Sequence, residues 1–138
     1  MTTNGAYWAL GAMSGTSLDG VDAATVLTDG VRVFEFGDVA YRPYTAPERA
    51  VLQAAMGEEA GPNVAAASEV VLAAHTEVLS GFESVDLVGF HGQTTFHAPQ
   101  SGAPVRSATG RNWRCGWDGL WFGIFARPTY HWAGRVRP

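Results

Sequence analysis

The sequence contains no lysine; all nine of its basic side chains are arginine. A Walker A phosphate loop, which needs G-x-x-x-x-G-K-[ST], is therefore excluded. One cysteine, Cys115, is present, so no internal disulfide can form. No apolar run is long enough to span a bilayer, and no charged-then-apolar leader opens the chain. These absences predict a cytoplasmic protein with a short free segment at Met1 to Asn4. Charged residues are scarce at 16%, and the net charge of −4 offers no footprint for nucleic acid. A length of 138 residues allows one domain at most, and 46% hydrophobic residues supply a modest core.

What the sequence does have is a dense polar string between two apolar ones. Tyr7 to Leu10 leads into Gly11-Ala12-Met13-Ser14-Gly15-Thr16-Ser17-Leu18-Asp19-Gly20-Val21-Asp22, and Val21 to Leu27 leads out. This pattern predicts a β-hairpin whose turn is rich in glycine, hydroxyl and carboxylate. Glycine lets a backbone approach a ligand closely. Turn N–H groups and hydroxyls can surround an anion, and a carboxylate beside them can hold a cation or its water shell. A nucleotide phosphate with Mg²⁺ suits such a loop. The competing reading is an ordinary hairpin turn, which favours the same residue types.

A second string follows at Val85-Asp86-Leu87-Val88-Gly89-Phe90-His91-Gly92-Gln93-Thr94. Val85 to Phe90 reads as a short buried strand. His91, Gln93 and Thr94 then stand just past its C-terminal end, where open α/β sheets tend to bind ligands. His and Gln offer hydrogen bonds to hydroxyls, and Gly92 keeps the floor low. Alone, a histidine after a strand is equally a turn residue bonded to nearby backbone.

Between the strings the reading is simple. Ala6 to Ala12, Val21 to Leu27 and Val31 to Tyr41 are expected strands, with Asp29-Gly30 as a hairpin turn. In the third, Arg32, Phe34 and Phe36 share one face. Thr45-Ala46-Pro47-Glu48 opens a short helix with a capping box and a first-turn proline. A longer helix is expected over Asn63 to Phe82, with a core stripe of Val64, Ala67, Val70, Val71, Ala74 and Val78. His75 and Glu77 on that helix are expected at its solvated surface.

The two strings together resemble the anhydro-N-acetylmuramic acid kinases of bacterial cell-wall recycling. The resemblance rests on Met13 to Asp22 and on Gly89 to Thr94 with Phe96-His97, and covers roughly residues 6 to 100. That family belongs to the actin-like ATPase and sugar-kinase superfamily. The resemblance implies an α/β fold: an incomplete, N-terminal half of a ribonuclease-H-like domain. The order strand–strand–strand–helix–helix–strand suits that half. The resemblance also implies ATP and Mg²⁺ as cofactors and a small sugar as substrate. ATP would bind at Gly15, Thr16, Ser17, Leu18, Asp19, Gly20, Val21 and Asp22. Asp19 or Asp22 would stand near the metal, Asp19 being the first candidate. His91, Gly92, Gln93 and Thr94 would face the sugar, without a fixed role for each. The implied reaction adds water across the 1,6-anhydro bond and moves the γ-phosphoryl group of ATP to O6. The family supplies the water-activating carboxylate from a segment containing DFR. The intact family member is expected to form a homodimer, with neither membrane nor nucleic-acid partner.

Composition breaks at residue 101. Residues 1–100 hold three arginines and twelve acids, whereas residues 101–138 hold six arginines, one acid and four of the five tryptophans. No helical or alternating period places those tryptophans on one face. Arginine and aromatic side chains together can bind single-stranded nucleic acid, but an acidic body would repel it. The neighbouring reading frame offers another source. Pairing the third base of each codon with the first two of the next lets Gly110 to Pro138 spell PELALRLGWPVVWDFRTADVSLGGQGAP. Residues from about Gly102 likewise permit RTWRIGDG before it. Nearly thirty successive permitted positions spell a string that resembles the next segment of the family, DFR included. A one-base shift near the codons for Gln100 to Gly102 is therefore expected, with residues 101–138 a poorly ordered tail and no catalytic base in the frame as written.

Overall fold

The computed structural model describes residues 5–96, 106–108 and 120–123. Expectations for Met1 to Asn4, for His97, for Cys115 and for the rest of the tail lie outside these residues. Three antiparallel-linked strands come first: β1 (Tyr7–Ser14), β2 (Gly20–Thr28) and β3 (Val33–Pro43). Helices α1 (Ala46–Ala54) and α2 (Pro62–Leu79) follow, then β4 (Leu87–Phe90), β5 (Gln93–Phe96), β6 (Arg106–Ala108) and β7 (Leu120–Gly123). The main sheet runs β3-β2-β1-β4-β7, with β4 parallel to both β1 and β7; β5 and β6 pair separately. This mixed α/β sheet and element order fit the N-terminal half of an actin-like ATPase domain that the resemblance implies.

Local chemistry sets the boundaries. Asp29 Oδ1 accepts from the N–H groups of Val31 and Arg32, and Gly30 takes φ +91°, so the chain reverses there between β2 and β3. Thr45 caps α1: its side chain accepts from Glu48 N, and Glu48 reaches back to Thr45 N at 2.8 Å. Alternation along β1 and β2 turns Leu10, Ala12, Val21 and Ala23 toward the helices. They pack with Leu52 and Ala55 around α1 and with Ala67, Val71, Ala74 and Val78 of α2 in one core. The stripe anticipated on α2 is buried as drawn, with Val64 and Val70 partly so.

The third strand keeps both of its phenylalanines outside: Phe34 and Phe36 are exposed. Its pairing with β2 shifts register between Ala24 and Val26 and again between Leu27 and Thr28. His75 corrects an expectation. It is fully buried, not at the solvated surface. Its ring meets Phe90 of β4 edge to face, with centroids 4.5 Å apart. Glu77 does face solvent, yet it accepts from Arg42 Nε at 3.0 Å.

Arg42 joins the end of β3 to both helices. Its guanidinium forks onto the two Glu48 oxygens at 2.7 Å each, while Nε reaches Glu77 and the charge lies 5.9 Å over the Tyr44 ring. The guanidinium holds the Glu48 carboxyl down to about 2. A depressed carboxylate contributes stability above its unfolded value of 4.5, and that contribution drains away as pH falls toward 2. Lysine carries the charge without the fork. Arg42→Lys is expected to cost about 1–2 kcal/mol in urea denaturation at pH 7. A midpoint unchanged from wild type would show the fork to be idle.

Candidate functional site

The loop between β1 and β2 is five residues long, Gly15 to Asp19, and it is held at both ends. Leu18 N donates to Gly15 O at 3.2 Å, closing one tight turn. Leu18 itself takes φ +56°, an uncommon conformation for a bulky side chain. Its side chain is buried in the core, and this anchor holds the backbone there. At the far end, the Asp19 carbonyl accepts from Tyr44 N at 2.9 Å and from Tyr41 Oη at 3.1 Å.

Gly15 is half-buried, and Thr16, Ser17 and Asp19 are exposed. Among the described residues no hydrogen bond leaves the main-chain N–H of Thr16 or Ser17. The Asp19 carboxylate accepts from Ser17 Oγ at 2.7 Å and from Gly20 N at 3.0 Å. Both bonds end on Oδ1. They hold the carboxyl below its usual range, the Ser17 hydroxyl contributing most. The loop thus presents an ionised carboxylate beside two N–H groups and two hydroxyls. Gly20, Val21 and Asp22 lie on β2 rather than in the turn. Gly20 and Val21 are buried; Asp22 is exposed on the opposite face to Val21 and pairs across to Met13 and Tyr41. Among the described residues, no three His, Cys, Asp or Glu side chains gather as a metal cage.

The second string lies beside the first. β4 pairs with β1 from Ala9↔Leu87 to Ala12↔Phe90, and His91 N continues the contact by donating to Ala12 O at 3.1 Å. Gly92 then takes φ +73° and turns the chain. His91 and Thr94 are half-buried, with His91 Nδ1 3.2 Å from Gly92 O. Gln93 is wholly buried. Its Oε1 accepts from Ser14 Oγ at 2.6 Å, and Ser14 Oγ in turn accepts from Tyr44 Oη at 3.0 Å. Thr95, also buried, donates to Glu58 O and receives Gly57 N through its own carbonyl. Ser14 and Tyr44 were not among the sequence-derived candidates. The signal for Ser14 was its place as the last inward residue of β1, legible only once the strand is known to run to residue 14.

Comparison with known proteins identifies the family. The family model for anhydro-N-acetylmuramic acid kinase matches residues 7–111. The chain belongs to this family. It is similar to the anhydro-N-acetylmuramic acid kinase of Cereibacter sphaeroides, at 54% identity over 125 residues, covering 86% of this chain and 34% of that protein. The kinase of Roseobacter denitrificans is 51% identical over 133 residues, covering 96% of this chain and 33% of its own length. That of Ruegeria sp. (strain TM1040) is 55% identical over 100 residues, or 72% of this chain and 27% of the relative. The chain therefore spans about a third of the length of the curated relatives it matches. The family match runs past residue 100, where the motifs alone place the end of the resemblance. No helix among the described residues is long and apolar enough to cross a membrane.

Proposed function

We propose that this sequence encodes the N-terminal part of a cytoplasmic, ATP-dependent kinase. The substrate is 1,6-anhydro-N-acetylmuramic acid, which with water becomes N-acetylmuramic acid 6-phosphate during cell-wall recycling. The observation that carries this reading is the pinned, open loop from Gly15 to Asp19 beside the β4 end, in a chain of this kinase family. Gly15, Thr16 and Ser17 offer N–H and hydroxyl groups to the phosphates. Leu18, Gly20 and Val21 shape that loop from the core side.

Asp19 suits Mg²⁺ better than Asp22 does. It stands in the loop itself, and both of its internal hydrogen bonds fall on one oxygen. Mg²⁺ keeps most of its waters and takes one or two carboxylates beside substrate phosphates. When bound it would neutralise phosphate charge. On the sugar side, His91 and Thr94 are half-buried, while Gly92 and Gln93 are buried beneath them. The intact protein is read as a homodimer.

The 138-residue chain is read as lacking its general base, because codon choice permits the DFR-containing segment only in the neighbouring frame. It would then be a nucleotide-binding fragment without turnover. Two measurements separate the readings. Calorimetry of the full chain with ATP and Mg²⁺ is expected to show binding that weakens at least tenfold in Asp19→Ala. An assay with ATP and the anhydro sugar is expected to yield no phosphorylated product. Absence of ATP binding removes the loop reading; appearance of product removes the missing-base reading. Resequencing the DNA near the codons for Gln100 to Gly102 decides the origin of the tail.

A further inference from the structure

We propose that Gln93 is a positioning residue: through Ser14 and Tyr44 it locks the phosphate-facing loop to the strand end that carries His91 and Thr94. The proposal rests on the reading of those two loops given above. It assigns Gln93 no contact with the sugar.

The geometry is a directed chain of hydrogen bonds. Tyr44 Oη donates to Ser14 Oγ at 3.0 Å, and Ser14 Oγ donates to Gln93 Oε1 at 2.6 Å. A hydroxyl has one proton to give, so Ser14 can serve both neighbours only in this order. Gln93 Nε2 faces the Thr94 carbonyl at 3.5 Å, which sets the amide with its oxygen toward Ser14. All three groups are buried, and burial raises the Tyr44 hydroxyl above its ordinary value. A buried amide depends on its protein partners.

Tyr44 does double duty. Its hydroxyl reaches Ser14, immediately before the loop, and its N–H reaches the Asp19 carbonyl at the loop's other end. The loop is therefore clamped at both ends by one residue, and Gln93 ties that clamp to the second loop. Gly92 makes the tie feasible: with φ +73° it turns the chain so that Gln93 passes under the end of β1. The separation along the chain is 79 residues, so the bond is purely tertiary.

The test uses the full 138-residue chain. Gln93→Met keeps the volume and removes the acceptor. Its Gly15, Thr16 and Ser17 amide resonances are expected to shift, and hydrogen exchange of the bonded Leu18 and Tyr44 amides to quicken about tenfold. Exchange in the α2 core should hold, and ATP affinity should fall about fivefold. Ser14→Ala removes the same bond together with the one from Tyr44, and the double variant is expected to be no worse than Ser14→Ala alone, since the Ser14–Gln93 bond is already gone in it. Tyr44→Phe removes a single hydroxyl and serves if Gln93→Met does not fold; it must also loosen the loop amides. Unchanged loop amides in folded variants, or additive losses in the double variant, overturn the proposal. If wild type binds no ATP, the nucleotide reading fails by itself, while the amide measurements still decide the coupling.

Discussion

Acidification from pH 7 to 4.5 is expected to destabilise the folded chain by about 2 kcal/mol through His75 alone. His75 is fully buried on α2, and burial lowers its imidazole to about 4 from an ordinary 6.5. Nδ1 lies 2.7 Å from the Val71 carbonyl, so that nitrogen carries the proton and Nε2 is left as a bare acceptor. Among the described residues Nε2 has no hydrogen-bond partner. The titratable neighbour across the β4 side is His91, whose charge further opposes a second proton. Between pH 6.5 and 4 the unfolded chain therefore binds a proton that the folded chain does not. Stability is full above 6.5 and drains as pH falls toward 4. The Glu48 window lies lower, from 4.5 toward 2, so the two are separable. His75→Leu removes the titrating group and the unpaired nitrogen while keeping an apolar side chain against Phe90. Its urea midpoint should be close to wild type at pH 7 and above it at pH 4.5. Parallel pH profiles for the two proteins would show that His75 reaches water in the native state.

That histidine also marks where the sequence stops being legible. The hairpin, the Asp29-Gly30 turn and the Thr45–Glu48 capping box are local devices, and their residues announce them within four positions. The core stripe of α2 is legible for the same reason. The opposite side of α2 is not, because alanine and valine recur around the whole helix and no continuous polar face identifies which residue turns outward. His75, read as surface, packs on Phe90 because β4 docks where it projects. The site divides in the same way. Glycine, serine, threonine and aspartate between two strands declared a polar turn from local chemistry. The inward turn of Gln93 depended on a single positive φ at Gly92 and on a partner far away in sequence. Tyr44 stood outside every motif, yet it holds both ends of the loop. Long-range polar ties of this kind leave no periodic trace.

Gly20→Ala is expected to cost about 3 kcal/mol and to weaken nucleotide binding with it. A Cβ at Gly20 would stand 2.5 Å from the Arg42 carbonyl oxygen, with Tyr41 Cε2 at 2.6 Å and Cζ at 2.8 Å. The Tyr41 ring is half exposed and could swing aside. Its hydroxyl would then leave the Asp19 carbonyl, one of the two bonds pinning the loop. The Arg42 carbonyl has no such freedom. It sits in the β2–β3 pairing beside Val21, and its own side chain is forked onto Glu48. Room for one methyl group must come from parting the two strands at the root of the loop. Gly11→Ala is the internal control. Gly11 lies on β1 with nothing among the described residues within 4 Å of an added Cβ, and alanine is the better strand residue. It should melt at or slightly above wild type and bind ATP unchanged. Equal melting of the two alanine variants would mean that β2 and β3 do not meet this closely at Gly20. The rigid seat assigned to Asp19 would then be lost.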